Sequence, residues 1–320
     1  MLYRTDGVQV VEYHAYAKIN LALSVLGKRE DGYHEIITLM VPVKISDLVS
    51  VEAKPQGLEV FCPDLPGLAQ HENLAYRAAQ SYLARQCPQW GFRISIQKNI
   101  PAGKGLGGGS SDAAAALLAM RDVACNLRGV SLGLLMDMAS EIGSDVPFFI
   151  GANSKPPLWQ AAVCTGRGES IHVVEGGSYW LVLVFPEVKV ATKMAYSQWD
   201  CLYSGEPPIV PESTGLESAL SLDLRMDRVV RALASNDPES LGKNLYNDLE
   251  KPVYSCFPEL SIIKENLLKS GADGAAMTGS GSAVYGICSS REHGLEVRNK
   301  FLNMSRELPV RQAIVTRTGV

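Results

Sequence analysis

The chain has 320 residues, with 30 Lys and Arg against 34 Asp and Glu and a formal charge of −4. Hydrophobic residues make up 46% and charged residues 20%, the balance of an ordinary globular protein, which excludes a disordered chain, a collagen-like fibre and a generally basic nucleic-acid binder. The length suits about two domains, and any anionic ligand has to be held locally, by a loop or a few placed cations.

The seven cysteines (Cys62, Cys87, Cys125, Cys164, Cys201, Cys256 and Cys288) include no C-x-x-C pair and are odd in number. They read as reduced, buried thiols rather than a disulfide framework or a zinc site. The opening MLYRTDGVQVVEYHAY carries acids and lacks a continuous apolar core, unlike a signal or transit peptide. Apolar runs such as Trp180–Phe185 are strand-length, far short of a membrane span. These features predict a cytosolic protein.

In chain order, Tyr13–Leu26 alternates as a strand, which puts Lys18 and Asn20 on one face by period two. LGKREDGYHEI then turns at Asp31-Gly32. Ile36–Val43 and Leu48–Ala53 read as two further strands, with Pro42 demoting the first to an edge or a bulge. Asn73–Cys87 has the pattern of an amphipathic helix stopped by Pro88, and Phe92–Ile100 alternates as a strand. After Pro101 and a glycine loop comes SSDAAAALLAMRDVAC, a strong helix pattern that Ser110, Ser111 or Asp112 is placed to cap. Leu132–Ile142 is a short helix closed by Gly143, with Asp145 following in GSDVPFF between that helix end and an apolar strand. The tract at 151–168, with its glycines and Pro156-Pro157, marks a seam. Beyond it, Trp180–Phe185 reads as a strand and Ser204–Ser213 as a polar insertion. Helices are expected at 221–234, 238–241 and 260–270, and a glycine-rich turn in MTGSGSAVYGIC feeds a strand. A last strand covers Val310–Thr318.

The glycine loop carries the chemistry. In PAGKGLGGGSSD (101–112) five of the seven positions from Gly103 to Gly109 are glycine. Packing does not call for that density, because glycine costs backbone entropy. It does give amides that converge on an anion, next to the free N–H groups and positive dipole end of the following helix. Strand, glycine turn and helix N-terminus together predict a phosphate site. A flexible surface linker is the bland reading, disfavoured because the loop joins two strongly patterned elements. Gly103-x-Gly105-x-x-Gly108 also matches the dinucleotide fingerprint, but Pro101 interrupts the strand-to-glycine junction and the extra glycines are not needed there. No Gly-Lys-Ser/Thr closes it as a P-loop.

PAGKGLGGGSSDAAAAL resembles the phosphate-binding motif of the GHMP kinases, and an early Lys in AYAKINLAL and a late MTGSGSAVYG stand in the order that superfamily uses. AKINLALSVLGKREDGYHEI and EIGSDVPFF resemble the branch that acts on a CDP-linked methylerythritol. The likeness runs from Ala15 to about Gly286. It implies an α+β fold in two domains, an ATP-binding one over 1–163 and a second over 164–320, with the active site in the cleft between them. It implies ATP as donor, CDP-methylerythritol as the small-molecule acceptor, direct in-line transfer without a phosphoenzyme, and Mg²⁺ carried by nucleotide oxygens, water and one hydroxyl such as Ser111, with no protein ligand named.

The same resemblance assigns site residues. Asp145 is the candidate base and Lys18 its cationic partner; without the resemblance, a structural salt bridge between sheet and helix is the other reading. Pro101, Gly103, Lys104, Gly105, Leu106, Gly107, Gly108, Gly109, Ser110 and Ser111 line the triphosphate, with Lys104, where relatives have a small residue, as an extra cation beside the phosphates or ribose. Asn73 is a nucleotide contact or an ordinary N-cap. For the acceptor, Asn20 is placed on the Lys18 face, Tyr33 stacks on the cytosine and His34 bonds its edge. Tyr196 closes the sandwich or is a core aromatic, and Thr192 reaches the hydroxyl. Gly279, Ser280, Gly281 and Ser282 form a wall over the site or a plain hairpin turn. His14, His71, His172 and His293 lack metal spacing. A different GHMP kinase acting on mevalonate-, homoserine- or sugar-type alcohols is one competing reading, and a nucleotide- or dinucleotide-binding module without kinase activity is another. Partners beyond small molecules are not expected, neither nucleic acid nor membrane, and the chain is expected to be a monomer or weak homodimer.

Overall fold

The alternating run Tyr13–Leu26 lies within the first of the two longest strands. β2 covers Val8–Lys28 and β3 His34–Lys54, joined by a turn in which Gly32 takes φ +82°. The computed structural model describes residues 2–5, 8–124, 130–203 and 215–320. Cys125 and the polar insertion near Ser204–Ser213 lie outside the described residues. The chain forms two compact units, one of residues 1–17, 45–102 and 107–158, the other of residues 18–44, 103–106 and 159–320. It passes from one to the other inside β2, inside β3 and at the glycine loop, and again between Leu158 and Trp159, within the glycine- and proline-bearing tract.

In the first unit, β1 (Leu2–Thr5) pairs antiparallel with the start of β2. The end of β3 pairs antiparallel with β5 (Gly91–Gln97), and β4 (Leu58–Phe61) lies parallel to β5. α1 (Leu74–Gln86) lies between β4 and β5, and α2 (Gly108–Val123), α3 (Leu132–Ile142) and α4 (Val146–Ala152) follow β5. α1 buries Ala75, Ala78, Ala79 and Tyr82, the i, i+3, i+4, i+7 stripe of an amphipathic helix. α2 is buried from Ser111 to Met120, its small alanines letting α1 and α4 pack closely on it.

In the second unit, the early part of β3 pairs with β6 (Ala162–Gly166), which pairs with β7 (Ser170–Val173), and β9 (Tyr246–Asn247) lies parallel to β2. A separate four-stranded antiparallel sheet has the order β10 (Gly274–Met277), β11 (Val284–Cys288), β8 (Trp180–Pro186), β12 (Val310–Arg317). Its helices are α5 (Thr192–Tyr203), α6 (Leu216–Leu222), α7 (Leu224–Ala234), α8 (Pro238–Asn244), α9 (Glu250–Cys256), α10 (Pro258–Lys269) and α11 (Arg291–Met304). The core gathers Val182, Val184, Leu260, Ile263, Met277, Val284 and Phe301 from sheet and helices.

Several expectations are corrected. The two strands expected at Ile36–Val43 and Leu48–Ala53 are one, β3, with Pro42 inside it between the stretch that pairs with β6 and the one that pairs with β5. GSDVPFF leads into helix α4 rather than a strand, because Pro147 suits a first helical turn. The strand expected over Phe92–Ile100 stops at Gln97. The expected helix at 221–234 breaks at Asp223, whose carboxylate caps α7 by accepting from Arg225 N. α5, α9, α11 and the short β6 and β7 were not anticipated. Cys87, Cys164 and Cys288 are buried thiols, whereas Cys201 and Cys256 are exposed.

Candidate active site

Gly103, Gly105 and Gly107 all take positive φ, at 68°, 76° and 70°. The left-handed Gly107 itself occupies the N-cap of α2, with no side-chain cap. The expected capping by Ser110, Ser111 or Asp112 is therefore corrected: α2 begins earlier, and these three lie in its first turns. Its leading N–H groups stay free of side-chain partners at the glycine end, the local condition for holding an anion. Gly109 is exposed and Ser110 half-buried. Ser111 is turned inward and fully buried, its Oγ accepting from Asn153 Nδ2 at 3.0 Å. Among the described residues no cluster of three His, Cys, Asp or Glu is arranged to hold a metal ion.

Beneath the loop lies a buried charge cluster that sequence reading missed. Asp47 accepts from the N–H groups of Asn99 and Ile100, at 2.5 and 2.8 Å, just ahead of Pro101. Lys98 Nζ bridges Asp47 and Asp112, the latter at 2.6 Å, and the second Asp112 oxygen is buried without a partner. Burial, ahead of the opposing charge of Lys98, pushes the Asp112 carboxyl up to about 8. A Cβ on Gly108 would stand 3.1 Å from Ile100 Cγ2 and 3.4 Å from Lys98 Nζ, so the cluster fixes the floor of the loop.

Asn73 caps α1 by accepting from Ala75 N at 2.9 Å, and it also borders a cavity of about 290 Å³ walled by Val60, Phe61, Leu65, Pro66 and Leu68. Leu74, the next residue, approaches Gly109.

In the second unit the early lysine, the loop and the late glycine motif meet. Lys18 is buried and its Nζ donates to Asn20 Oδ1 at 2.6 Å, as the period-two reading requires. Asn20 Nδ2 donates to Thr38 Oγ1 at 2.7 Å, and Asn20 N donates to Thr278 Oγ1 at 3.1 Å. Lys18 N donates to the Leu106 carbonyl at 3.0 Å. A Cβ on Gly105 would lie 2.3 Å from the Thr278 carbonyl oxygen, and one on Gly279 3.4 Å from Lys18 Nζ. Gly281 has φ +87° and lies against Met277, while Ser280 Oγ and Thr192 Oγ1 share a 3.0 Å hydrogen bond. The turn between β10 and β11 is a hairpin connection, and its glycines permit this close approach to 103–106.

Lys104 is a correction. Its ammonium is buried and donates to the carbonyls of Pro186 and Val188, both at 2.6 Å, and to Ser282 Oγ at 3.2 Å. Burial, then the neighbouring Lys189 and Arg311, lowers its pKa. The side chain ties the loop to the end of β8 instead of standing beside phosphates.

The nucleobase candidates also divide. Tyr33 is 54% exposed at the turn, with the Arg167 guanidinium 5.0 Å from its ring centre. His34 is buried, and Tyr196 stacks directly on its imidazole at 4.7 Å and 27°. One Tyr196 face is thus taken by His34. Trp199 meets the same imidazole edge-on, and Asp200 Oδ1 lies 2.6 Å from His34 Nε2. Tyr196, Trp199 and Asp200 stand at i, i+3 and i+4 on α5, one helix face; that spacing was the available signal for Trp199 and Asp200. Asp145 is half-buried at the N-cap of α4.

Comparison with known proteins agrees with the two motif blocks. The model of the GHMP kinases N terminal domain matches residues 73–152, and that of the GHMP kinases C terminal region matches 229–305. The chain is 34% identical over 315 residues to a 4-diphosphocytidyl-2-C-methyl-D-erythritol kinase from Moorella thermoacetica, covering 97% of this chain and 100% of that one. It is 38% identical over 289 residues to the protein of the same name from Desulfitobacterium hafniense, covering 90% of each. Among solved structures, a 4-(cytidine 5'-diphospho)-2C-methyl-D-erythritol kinase aligns with a TM-score of 0.72 at 34% identity, over 97% of this chain and 100% of that one. A homoserine kinase from Cytophaga hutchinsonii aligns at 0.71 with 19% identity over 100% and 98% of the two chains, which bears on the fold alone.

Proposed function

We infer the activity from kinship: the chain belongs to the GHMP kinases, in the branch of 4-diphosphocytidyl-2-C-methyl-D-erythritol kinases. It is a small-molecule kinase that transfers the terminal phosphoryl group of ATP to the 2-hydroxyl of 4-diphosphocytidyl-2-C-methyl-D-erythritol, a step in the non-mevalonate route to isoprenoid precursors. Near-full-length identity at 34–38% carries this reading. It prevails over the other GHMP acceptors, whose structures align at under 20% identity.

The residue roles follow as the reading's consequences. The triphosphate lies on the amides of 103–111, and the adenine enters the recess bordered by Asn73. Phosphoryl transfer through a loose transition state depends on positioning and charge neutralisation more than on covalent chemistry. Asp145 takes the proton of the acceptor hydroxyl, and Lys18, held by Asn20, is its cationic partner. Mg²⁺, when bound, would supply charge neutralisation at the phosphates, held by nucleotide oxygens, water and one hydroxyl such as Ser111. Tyr33 offers an exposed ring for stacking on the cytosine. The domain division at 163/164, which falls between the two family-model matches, belongs to the same reading. No helix among the described residues is long and apolar enough to cross a membrane, and we place the enzyme in the cytosol, acting on small molecules as a monomer or weak homodimer.

A coupled ADP-release assay with CDP-methylerythritol, mevalonate, homoserine and galactose tests the assignment. Turnover is expected with the first alone; equal or faster turnover of any other alcohol overturns it.

A further inference from the structure

The run 247–250 touches both pieces of chain that meet at Lys18. Asn247 pairs with Leu23 where β9 lies parallel to β2, the strand that carries Lys18 and Asn20. Asp248 holds the same stretch twice: its N–H donates to the Leu23 carbonyl at 2.9 Å, and its Oδ2 accepts from Val25 N at 3.1 Å. The side chains on either side of it grip β10 and the glycine turn. Glu250 Oε1 accepts from Met277 N at 2.8 Å. Asn247 is buried, and its Nδ2 donates to the carbonyls of Met277 and Gly279, both at 2.8 Å, while its Oδ1 accepts from Leu249 N at 3.0 Å. A carboxamide has two N–H donors and one acceptor oxygen, so these three partners use the group fully and dictate its orientation. Thr278 stands between the two gripped carbonyls, and its hydroxyl accepts from Asn20 N at 3.1 Å. Gly279 carries the turn up to Lys18, since a Cβ there would lie 3.4 Å from both Lys18 Nζ and Asn20 Oδ1.

We propose that Asn247 is a positioning residue for phosphoryl transfer: its two amide bonds set the glycine turn at a fixed height against β2, so that Thr278 stays on Asn20 and Lys18 is held in place for the acceptor hydroxyl. This rests on the reading of Lys18 as the cation at the reacting group. Gly279 and Gly281 take φ +56° and +87°, so the turn has little side-chain packing of its own to hold it. One buried amide that binds both carbonyls removes that freedom. Without it two buried carbonyls lose their donor, and the turn satisfies them only by moving toward other partners. Asn247 is itself in register with β2, so any such movement is a movement relative to Lys18.

The experiment compares the full-length enzyme with Asn247→Leu, Thr278→Val and the double variant. It measures kcat and KM for ATP and the CDP-linked substrate, with folding followed by near-ultraviolet circular dichroism. Leucine keeps the branched shape of asparagine and donates nothing; valine does the same for threonine. Each single variant is expected to lower kcat by about 10²-fold, the cost of a positioning element displaced by about 1 Å. KM for ATP should stay within about threefold, because Lys104 ties the phosphate loop to the carbonyls of 186 and 188 independently of the turn. A residue that merely stabilised the fold would lower Tm and leave kcat of the folded enzyme as it was. The double variant should fall no more than about threefold below the slower single one, because both changes break one linkage. Losses that multiply, or near-normal kcat in either folded single variant, overturn the proposal and leave the kinase reading intact. ¹⁵N NMR of the asparagine side chains in the unmodified protein decides the case where Asn247→Leu does not fold. Both Nδ2 protons of Asn247 are expected to exchange slowly with solvent, and fast exchange of either overturns the proposal. Failure of the unmodified enzyme to turn over the cytidine substrate at all removes the reading beneath both.

Discussion

Gly105→Ala is the sharpest probe of how the loop is seated. Gly105 has φ +76°, and a Cβ there would stand 2.3 Å from the Thr278 carbonyl oxygen and 3.1 Å from that of Gly281. Real Cβ contacts essentially never close below 3.0 Å, so loop and turn must part by about 0.7 Å. The turn cannot move alone, because Thr278 Oγ1 also binds Asn20, which holds Lys18. A displacement approaching 1 Å of a positioning element costs on the order of 10²-fold in rate. Left-handed backbone for a residue with a Cβ adds roughly 1–2 kcal/mol of destabilisation. Gly103→Ala is the matched control: φ is +68°, but nothing lies within 4 Å of the added carbon. Both variants should lose a few degrees of Tm by calorimetry, and only Gly105→Ala should lose about 10²-fold in kcat/KM in the ADP-release assay. Equal kinetic losses would refute the argument, since backbone strain alone would then account for both.

Asp145→Ala should lower kcat by about 10²–10⁴-fold, the usual worth of a general base, with nucleotide affinity by equilibrium titration within threefold; near-normal turnover removes Asp145 from the chemistry. Lys104→Met strands two buried carbonyls and should cost about 2 kcal/mol in denaturant unfolding, with KM for ATP rising less than threefold. A large rise in KM with unchanged stability would put its ammonium back beside the phosphates. Asp112, raised to about 8, binds a proton in the folded state that the unfolded chain has released. Its contribution is therefore full below the unfolded value of 3.8 and is lost as pH climbs to about 8, by up to roughly 1.4 kcal/mol per pH unit. Asp112→Asn should flatten that part of the stability–pH profile; an unaltered slope would contradict the assignment.

Much of the site was legible because its chemistry is local. Three glycine positions with positive φ, the same-face pair Lys18 and Asn20, the Asp31-Gly32 turn and the Asn73 cap each depend on a handful of consecutive residues, so their types and spacing were enough. The start of α2 was misplaced because a left-handed glycine supplied the cap that a serine usually provides. What tertiary structure alone decided was partnership across the chain. Lys104 looked like a ligand cation until three acceptors from 186, 188 and 282 closed around it. Asp47 and Asp112, 65 positions apart, share one lysine, and Asp200 finds His34 from a helix whose weak periodicity hid it. A sequence states which groups are present and which backbone angles are cheap. Burial and long-range pairing determine which of them remain available to a ligand, because a polar group withdrawn from water must be satisfied by whatever the fold brings to it.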